Sequence, residues 1–274
     1  MNGVAGRVCV VTGAARGLGR AIAAALAKGG ARLALCDVRA DDLAETAAAL
    51  RELGAEVYLA TCDVSDSAAV DAFFAEVEHG LGPVEVLVNN AALVPGAPDD
   101  EARRSRHYAY LTTPEPRGSL GFTSAMSDAE WLKYWGVNVH GVFFCTRAAL
   151  RQMEPRRYGR IVNIASIAGL SALSAHSPHY SATKGAVIAF TRSVGAEVAG
   201  ANIFVNAIAP GGIATPMFDQ YLAGIGPEGR NRLFQMVPAG RLGTMEEYAG
   251  LVAYLAGDGH YLVGQVISPN GGMI

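Results

Sequence analysis

The chain has 274 residues and a formal net charge of −3; 51% of its residues are hydrophobic and 17% are charged. This composition is typical of a globular protein, and we expect one domain over residues 1–274, because α/β domains of this length occur undivided. The sequence has no lysine- and arginine-rich run that suits nucleic acid. It has no apolar run near the ~18 residues that a membrane span needs.

The first 90 residues alternate short β-branched runs with helical patterns. Strands are predicted at 7–11, 32–36, 56–60 and 84–88, and helices at 20–28, 42–53 and 67–78. Strands that alternate with helices of this length indicate a parallel sheet. The sequence therefore predicts a Rossmann-type, doubly wound α/β fold with about seven strands and helices on both faces.

A glycine-rich turn follows the first strand and leads directly into the first helix. It reads Thr12-Gly13-Ala14-Ala15-Arg16-Gly17-Leu18-Gly19. In this context the amino end of a helix binds a pyrophosphate, and glycines let the backbone approach it. The spacing differs from the common Gly-x-Gly-x-x-Gly pattern, but the position still predicts a dinucleotide site.

The second strand ends at Asp37, about 20 residues beyond the glycine turn. An acidic residue at this place suits the hydroxyl groups of an adenosine ribose and repels a 2'-phosphate. The sequence therefore predicts NAD as the cofactor. Arg16 and Arg39 lie close by in the sequence and favour NADP, because an arginine can hold the 2'-phosphate.

The segment 93–126 interrupts the alternation of strands and helices. It contains four prolines and a basic cluster, Arg103-Arg104-Ser105-Arg106-His107. Connections of this length are uncommon in compact domains and are usually functional. Since it leaves the carboxyl end of a strand, we expect it on the active-site side, as a substrate lid or as a surface elaboration. The basic cluster is either a solvated face or a site for an anionic substrate group.

The remaining elements continue the same alternation. Capping boxes predict helix starts at Ser127 and Thr244, and the helical pattern after Ser127 runs, with a break, to Met153. Strands are predicted at 160–164, 203–207 and 265–268, and a helix at 178–198. The glycine-interrupted stretch 218–238 is predicted as a flap with short helical pieces.

Tyr180 and Lys184 lie four residues apart in the helix predicted at 178–198. Residues with this spacing share one helix face. The pKa of a free tyrosine is about 10, and a nearby cation lowers it. We therefore expect Lys184 to bring the pKa of Tyr180 towards neutrality, so that the phenol exchanges a proton with an alcohol or a carbonyl.

Together these motifs, in this order, resemble the short-chain dehydrogenase/reductase (SDR) family over about residues 4 to 273. They are Thr12-Gly13-x3-Gly17-x-Gly19, Asp63, Asn89-Asn90-Ala91, Asn138, Ser166, Tyr180-x3-Lys184 and Pro210-Gly211. The resemblance implies that Tyr180 is the general acid/base and that Lys184 lowers its pKa. It also implies that Ser166 binds the substrate oxygen and that Asn138 holds a water in the proton relay.

The resemblance further implies the residues that bind the cofactor. They are Thr12, Gly13, Arg16, Gly17, Leu18, Gly19, Asp37, Asp63, Val64, Asn89, Ala91, Tyr180, Lys184, Pro210, Gly211, Ile213 and Thr215. Asn89 is the position expected to close over the cofactor. The family resemblance also implies a homo-oligomer, a tetramer or a dimer.

Three positions depart from the family pattern. Ala92 stands where glycine is usual, Ser166 and Tyr180 are 14 residues apart, one more than expected, and the segment 93–126 is long. None of these departures removes a catalytic group.

The expected walls of the substrate pocket are mostly apolar. They are Leu93, Val94, Ile167, His176, His179, Met217, Phe218 and Tyr221. Apolar walls with a few polar points are typical of small-molecule sites, and they favour an apolar secondary alcohol or ketone that is cyclic, aromatic or steroid-like. Two alternatives stay open: an NADP-dependent 3-oxoacyl-thioester reductase and an NAD-binding regulator without turnover.

The four cysteines, Cys9, Cys36, Cys62 and Cys145, are widely spaced. This spacing predicts reduced core residues, neither disulfides nor metal ligands, and no metal site is expected. Because the sequence also shows no secretory leader, we expect a cytoplasmic protein.

Overall fold

Seven parallel strands form the centre of the molecule in the computed structural model, which describes residues 3–112, 116, 118–215, 224 and 226–274. The strand order is β3-β2-β1-β4-β5-β6-β7. The strands are β1 (Val8–Thr12), β2 (Arg32–Asp37), β3 (Val57–Thr61), β4 (Val86–Asn89), β5 (Gly159–Ile164), β6 (Ile203–Ile208) and β7 (Val266–Ile267). The predicted fold class is confirmed.

Helices cover both faces of this sheet. They are α1 (Gly17–Lys28), α2 (Ala40–Glu52), α3 (Ser67–Leu81), α4 (Pro98–Thr112), α5 (Asp128–Trp135), α6 (Val142–Arg156), α7 (Pro178–Val198), α8 (Gly226–Gln235) and α9 (Met245–Ala256). On one face Ile22 and Leu26 of α1 pack with Val252 and Leu255 of α9. On the other face α3, α6 and α7 form a second core. Because both faces are covered, β1, β4 and β5 are buried along their whole length.

Helix α4 lies inside the segment predicted as an irregular connection, and the sequence did not predict it. An amphipathic helix is recognised by apolar residues at helical spacing. The buried side chains of α4 are instead Asp100 and His107, so its pattern carried no apolar stripe. Among the helices that the structure describes, none is long and apolar enough to cross a bilayer.

The predicted break in the helical pattern after Ser127 is confirmed. Residues Gly136–Gly141 form a π-helical turn between α5 and α6, and Asn138 lies within it. Such turns occur often at functional sites. The capping box at Thr244 is complete, whereas at Ser127 the side chain caps the amide of Glu130 and the Glu130 carboxylate binds Arg103.

The buried thiols agree with the cysteine prediction. Cys9, Cys36, Cys62 and Cys145 are all free and buried. Of the flap predicted at 218–238, the stretch 226–235 forms α8, and residues 218–223 and 225 lie outside the described part of the chain.

Candidate active site

A cavity of about 1430 Å³ runs along the carboxyl edge of the sheet. Parallel sheets bind ligands at this edge, where the strands release their loops. Most of the predicted site residues line it: Gly13, Arg16, Gly17, Leu18, Gly19, Asp37, Asp63, Val64, Ala91, Ser166, Tyr180, Lys184, Pro210, Gly211, Ile213 and Thr215. Thr12, Asn89 and Asn138 lie behind this lining.

The glycine turn is built for close approach of backbone and ligand. Gly13 and Gly17 have positive φ angles of 66° and 55°. A Cβ at Gly13 would lie 2.7 Å from the Cα of Ala91, and one at Gly19 would lie 2.1 Å from the Gly13 carbonyl oxygen. A Cβ at Gly17 would meet no described atom within 4 Å, so the backbone there faces the cavity directly.

The amino end of α1 opens on this cavity without a capping side chain. Arg16 is the N-cap residue and makes no side-chain cap hydrogen bond, and the first turn contains no acidic residue. The first amides of a helix lack partners inside the helix and attract anions. The chain's own geometry therefore fits the pyrophosphate of a dinucleotide.

Thr12 and Asn90 hold this turn against the end of β4. The Thr12 hydroxyl accepts hydrogen bonds from the amides of Asn90 and Ala91, at 3.1 and 3.0 Å. The Asn90 side chain donates to the carbonyl oxygens of Thr12 and Gly13, both at 3.0 Å. The sequence predicts Asn89, and not Asn90, as a site residue of the Asn89-Asn90-Ala91 motif. In the structure it is Asn90 that lines the cavity.

Asn89 occupies a different place from the one expected. Its side chain is 3% exposed and donates to Thr146 Oγ1 at 3.0 Å and to Asn163 Oδ1 at 2.8 Å. It thereby fastens β4 to β5 and α6. The geometry does not fit a side chain that closes over the cofactor. Side chains alternate between the two faces of a strand, and that of Asn89 points to the face that α6 covers.

Asp37 lies at the wall of the cavity with both carboxylate oxygens held by the backbone. Oδ2 accepts from the amide of Ala15 and Oδ1 from the amide of Arg39, each at 3.0 Å. The guanidinium of Arg39 forms an ion pair with Asp42 at 3.1 Å. Asp63 is fixed in a similar way, since its Oδ1 accepts from the amide and hydroxyl of Ser65.

Ser166, Tyr180 and Lys184 meet in the middle of the cavity. Ser166 and Tyr180 line the same cavity, near enough for the serine hydroxyl to lower the phenol pKa, and Ser166 Oγ accepts from the amide of Ala168 at 3.1 Å. Lys184 Nζ donates to the carbonyl oxygen of Ile164 at 2.7 Å and lies 5.7 Å from the centre of the Tyr180 ring. The predicted arrangement of phenol and ammonium on one helix face is present.

The expected direction of the Tyr180 pKa is wrong for this structure. Burial raises the pKa of Tyr180, and the neighbouring Ser166 hydroxyl lowers it by less. Burial also lowers the pKa of Lys184 to about 8. Both shifts have one cause: a charge in a buried site loses its hydration. Desolvation of the phenolate thus has a larger effect on the Tyr180 pKa than the spacing of Tyr180 and Lys184 suggested.

Asn138 links the loop after β4 to the catalytic helix. Its Oδ1 accepts from the amide of Leu93 at 2.7 Å, and its Nδ2 donates to the Leu93 carbonyl oxygen and to Thr183 Oγ1. Asn138 is fully buried. Its role in holding a relay water stays a prediction.

The expected pocket walls divide into three groups. Leu93 and Val94 line the cavity, together with Ala92 and, from α5, residues that nothing in the sequence indicated: Ala129, Leu132 and Lys133. Ile167, His176 and His179 are buried outside this lining. Met217, Phe218 and Tyr221 lie outside the described residues.

The described arginines of the segment 93–126 contact other groups within the protein. Arg103 pairs with Asp100 and Glu130, and Arg104 donates to the carbonyl oxygen of Pro95 at 3.1 Å. Arg106 lies over the ring of Phe122. These contacts disfavour the alternative in which the cluster binds an anionic substrate.

This sheet, the phosphate-binding turn and the serine–tyrosine–lysine arrangement define an oxidoreductase that uses a nicotinamide dinucleotide. A family model described as short chain dehydrogenase matches residues 7–225. The chain belongs to this family, and it is an enzyme of the dehydrogenase and reductase class that acts on CH–OH and keto groups.

Three known proteins show the extent of the similarity. The 3-oxoacyl-(acyl-carrier-protein) reductase of Aquifex aeolicus is 33% identical over 98% of this chain and 97% of its own. A putative gluconate dehydrogenase from Agrobacterium tumefaciens has a TM-score of 0.85 at 30% identity, covering 99% and 97% of the two chains. A variant of actinorhodin polyketide ketoreductase with NADPH has a TM-score of 0.83 at 35% identity, covering 97% of each chain.

Proposed function

We propose that the protein interconverts an apolar secondary alcohol and its ketone with NAD(H), and that Tyr180 is the general acid/base. The observation that carries this proposal is that Ser166, Tyr180 and the buried Lys184 line one cavity, which fits a dinucleotide. A protein that only bound NAD would have no use for a tyrosine beside a serine and a lysine at this place.

Each of the three residues has a separate task in this proposal. When bound, NAD supplies the hydride acceptor for the carbinol carbon. Tyr180, as phenolate, takes the hydroxyl proton of the alcohol, and Ser166 donates a hydrogen bond to the same oxygen. Lys184 stabilises the phenolate through its charge. In the reverse direction Tyr180, as phenol, returns the proton to the carbonyl oxygen.

The proposed preference for NAD rests on Asp37. Its carboxylate is fixed by two backbone amides at the cavity wall, where it would accept hydrogen bonds from ribose hydroxyls and repel a 2'-phosphate. Of the two arginines that favour NADP, Arg39 is already paired with Asp42.

The proposed substrate class rests on the cavity wall near the catalytic residues. Leu93, Val94 and Ile213 line this part of the cavity, and apolar walls with a few polar points suit a cyclic, aromatic or steroid-like alcohol or ketone. The described arginines of the segment 93–126 contact other groups of the protein, which disfavours a charged substrate tail at this segment.

A second candidate, an NADP-dependent 3-oxoacyl-thioester reductase, is favoured by the names of two of the similar proteins. The two candidates differ in cofactor and in substrate, so one assay separates them. Reduction of an acetoacetyl thioester that is faster with NADPH than with NADH would support the second.

We also propose a cytoplasmic homo-oligomer. An apolar hollow lies beside α6 and α7, lined by Val139, His140, Val142, Phe143, Ala186, Val187 and Phe190, and Phe143 is 43% exposed. Two helices that expose an apolar face suit a second copy of the same face across a two-fold axis. Light scattering of the purified protein would give the mass, and a monomer would contradict this assembly.

The decisive experiment is NAD-linked oxidation of a panel of cyclic, aromatic, steroid and sugar alcohols, with NADP in parallel. We expect turnover of an apolar alcohol with NAD, and a loss of about 10²–10⁴-fold in Tyr180→Phe, since general acid–base catalysis contributes this much. NADH fluorescence would show that the variant still binds the cofactor. Turnover of sugars alone would refute the substrate class, and full activity in Tyr180→Phe would refute the assignment of the base.

A further inference from the structure

Helix α4 is attached to the rest of the protein by polar side chains. Asp100 and His107 are each 4% exposed, and they are the buried side chains among those that the structure describes in this helix. Arg103 is partly buried between them. The spacing of these residues, three and seven along a helix, places them on one face. A surface helix normally docks through an apolar stripe, so a charged and titratable docking face requires a specific set of partners.

The first set of partners lies on α5 and at the start of α7. Arg103 pairs with Asp100 of its own helix and with Glu130 of α5. Glu130 also lies 3.7 Å from Nε2 of His179, and the His179 ring packs edge-on against Tyr134 of α5, with ring centres 4.1 Å apart. His179 directly precedes Tyr180. One side of the first turn of α7 is therefore held through α5.

The second partner lies in the turn that leads into α7. His107 Nδ1 contacts His176 Nδ1 at 3.4 Å, and both rings are buried. His176 precedes Ser177, which is the N-cap residue of α7. Helix α4 therefore also contacts the turn directly before α7, the helix that carries Tyr180.

The chain between Ser166 and Tyr180 needs this support. It is one residue longer than the family pattern and contains two short 3₁₀ turns, Ile167–Gly169 and Ala172–Ser174. Turns of this type have poor hydrogen-bond geometry and contribute little stability of their own. Gly169 of the first turn lies against the backbone of Lys184 and Gly185, so the start of α7, which carries Tyr180, is the part that depends on what holds the end of this loop.

We propose that His107 is a positioning residue for the reaction: through His176 it fixes the turn that begins α7, and so the place of Tyr180 relative to Ser166. This inference rests on the proposed function. It gives the segment 93–126 the task of a fixed wall behind the catalytic loop, in place of a lid that closes over the substrate.

The chemistry of the imidazole pair determines when it forms. A hydrogen bond between two Nδ1 atoms needs one protonated nitrogen as donor and one bare nitrogen as acceptor. Arg104, Arg103, Asp100 and His107 influence the charge of His176, and the ring of Tyr108 packs against it, with ring centres 5.8 Å apart. Burial first, then Arg104 and His107, lowers the pKa of His176 to about 4, and burial lowers the pKa of His107. His176 is thus neutral at pH 7, and its Nδ1 can accept a hydrogen bond from Nδ1 of His107.

The test compares His107→Leu, which removes the contact, with His107→Asn, which keeps an amide at the place of Nδ1. The control is His79→Leu, because His79 is an exposed histidine of α3. For His107→Leu we expect kcat/KM for the alcohol to fall about tenfold, since small displacements of a catalytic group have effects of this size. The Kd of NADH should stay within a factor of two, and the amides of residues 170–180 should exchange hydrogen faster. His107→Asn should recover most of the loss.

Several outcomes would overturn the proposal. One is unchanged amide exchange at residues 170–180 in His107→Leu, and another is faster exchange spread over the whole chain. A third is His107→Asn behaving as badly as His107→Leu. If the wild-type protein oxidises no alcohol, the proposed function fails, but the exchange experiment still tests the support of the loop. If His107→Leu does not fold, His176→Leu removes the same contact from the other ring, and kcat/KM together with amide exchange at residues 170–180 in that variant provides the same test.

Discussion

At the scale of single residues, the pair formed by the half-buried Tyr180 and the buried Lys184 determines how the reaction responds to pH. Burial raises the pKa of Tyr180, and alcohol oxidation needs the phenolate. The rate of oxidation should therefore rise with pH up to the pKa of Tyr180, whereas ketone reduction, which needs the phenol, should fall over the same interval.

Lys184→Met tests the part that the lysine plays in this response. Removal of a positive charge beside the phenol disfavours the phenolate, so the rising limb of kcat/KM for oxidation should move to higher pH. Lys28→Met is the control, since Lys28 lies at the end of α1. Profiles measured between pH 6 and pH 11 would decide the matter, and an unchanged limb would mean that the charge of Lys184 does not reach Tyr180.

Asp37 is the residue on which the choice of cofactor depends. In Asp37→Ala the repulsion of a 2'-phosphate disappears, and so do the hydrogen bonds to the ribose. We expect the ratio of the Kd values of NADP and NAD to fall by more than about tenfold, which corresponds to about 1.4 kcal/mol. Fluorescence titration with NADH and NADPH measures this ratio. Asp41→Ala, an exposed residue of α2, is the control, and equal ratios in both variants would remove the argument for NAD.

At the scale of secondary-structure elements, the sequence predicted a helix correctly where the side chains that the helix buries are apolar. Helix α7 begins and ends at the predicted residues, 178 and 198, and the box at Thr244 starts α9 as predicted. Helix α4 was not predicted, because Asp100 and His107 replace the apolar residues that mark the buried face of a helix. The roles of Asn89 and Asn90 were exchanged for a similar reason: neighbouring strand-end residues point to opposite sides, and spacing alone does not say which side faces the cavity.

The pKa of Tyr180 could not be obtained from spacing either. The sequence shows that a lysine lies one helical turn away, but the extent of burial depends on elements far along the chain. Lys184 is 3% exposed under the loop after β5, and its Nζ binds the carbonyl oxygen of Ile164. Desolvation therefore acts on both members of the pair, and its size is a property of the folded protein.

The π-helical turn provides a prediction about an element as a whole. A Cβ at Gly141 would lie 2.7 Å from Val64 Cγ2 and 3.2 Å from the Val64 carbonyl oxygen, and Val64 lines the cavity. Gly141→Ala should lower the free energy of unfolding by about 1–3 kcal/mol, as overpacking does, and should weaken NADH binding because the wall at Val64 moves.

Gly250→Ala is the matched control for this change. Gly250 lies inside α9, and a Cβ there would meet no described atom within 4 Å. The same substitution should then stabilise the protein by about 0.5–1 kcal/mol through helix propensity. Urea denaturation and NADH titration of both variants would test the difference. Similar behaviour of the two would show that the π-helical turn has room for a side chain.

At the scale of the whole molecule, the two edges of the sheet have different tasks. The carboxyl edge holds the cavity, with buried and partly paired polar groups, and the amino edge holds a dense ionic cluster. There the Asp258 carboxylate accepts from Arg7, from the Tyr158 hydroxyl at 2.9 Å and from Arg160 at 3.0 Å. Arg160 is 3% exposed and stacks on the rings of Tyr158 and Phe204. This cluster fastens the chain after α9 to the starts of β1 and β5.

Asp258→Asn should therefore reduce stability without changing the chemistry. The carboxylate charge that faces the buried Arg160 is lost, while Arg160 keeps the carbonyl oxygens of Gly159, Asn202 and Gly257, so the cost should be about 1.5–3 kcal/mol, as for a hydrogen bond to a charged group. Arg7 and Tyr158 hold the pKa of Asp258 below its ordinary value against the opposing effect of burial. The contribution is thus present above the unfolded pKa of about 3.9 and is lost as pH falls further. Urea unfolding should show a large gap between wild type and variant at pH 7 that narrows at pH 3.5.

Asp71→Asn is the control for this last prediction. Asp71 is 41% exposed and pairs with Arg151 at 3.1 Å, and exposed pairs of this kind contribute at most about 1 kcal/mol. The kcat of folded Asp258→Asn should equal that of the wild type, since the cluster lies at the edge of the sheet opposite the cavity. A fall in kcat at full folding would mean that the amino edge influences the active site, and equal losses of stability in the two variants would mean that burial of Arg160 adds nothing.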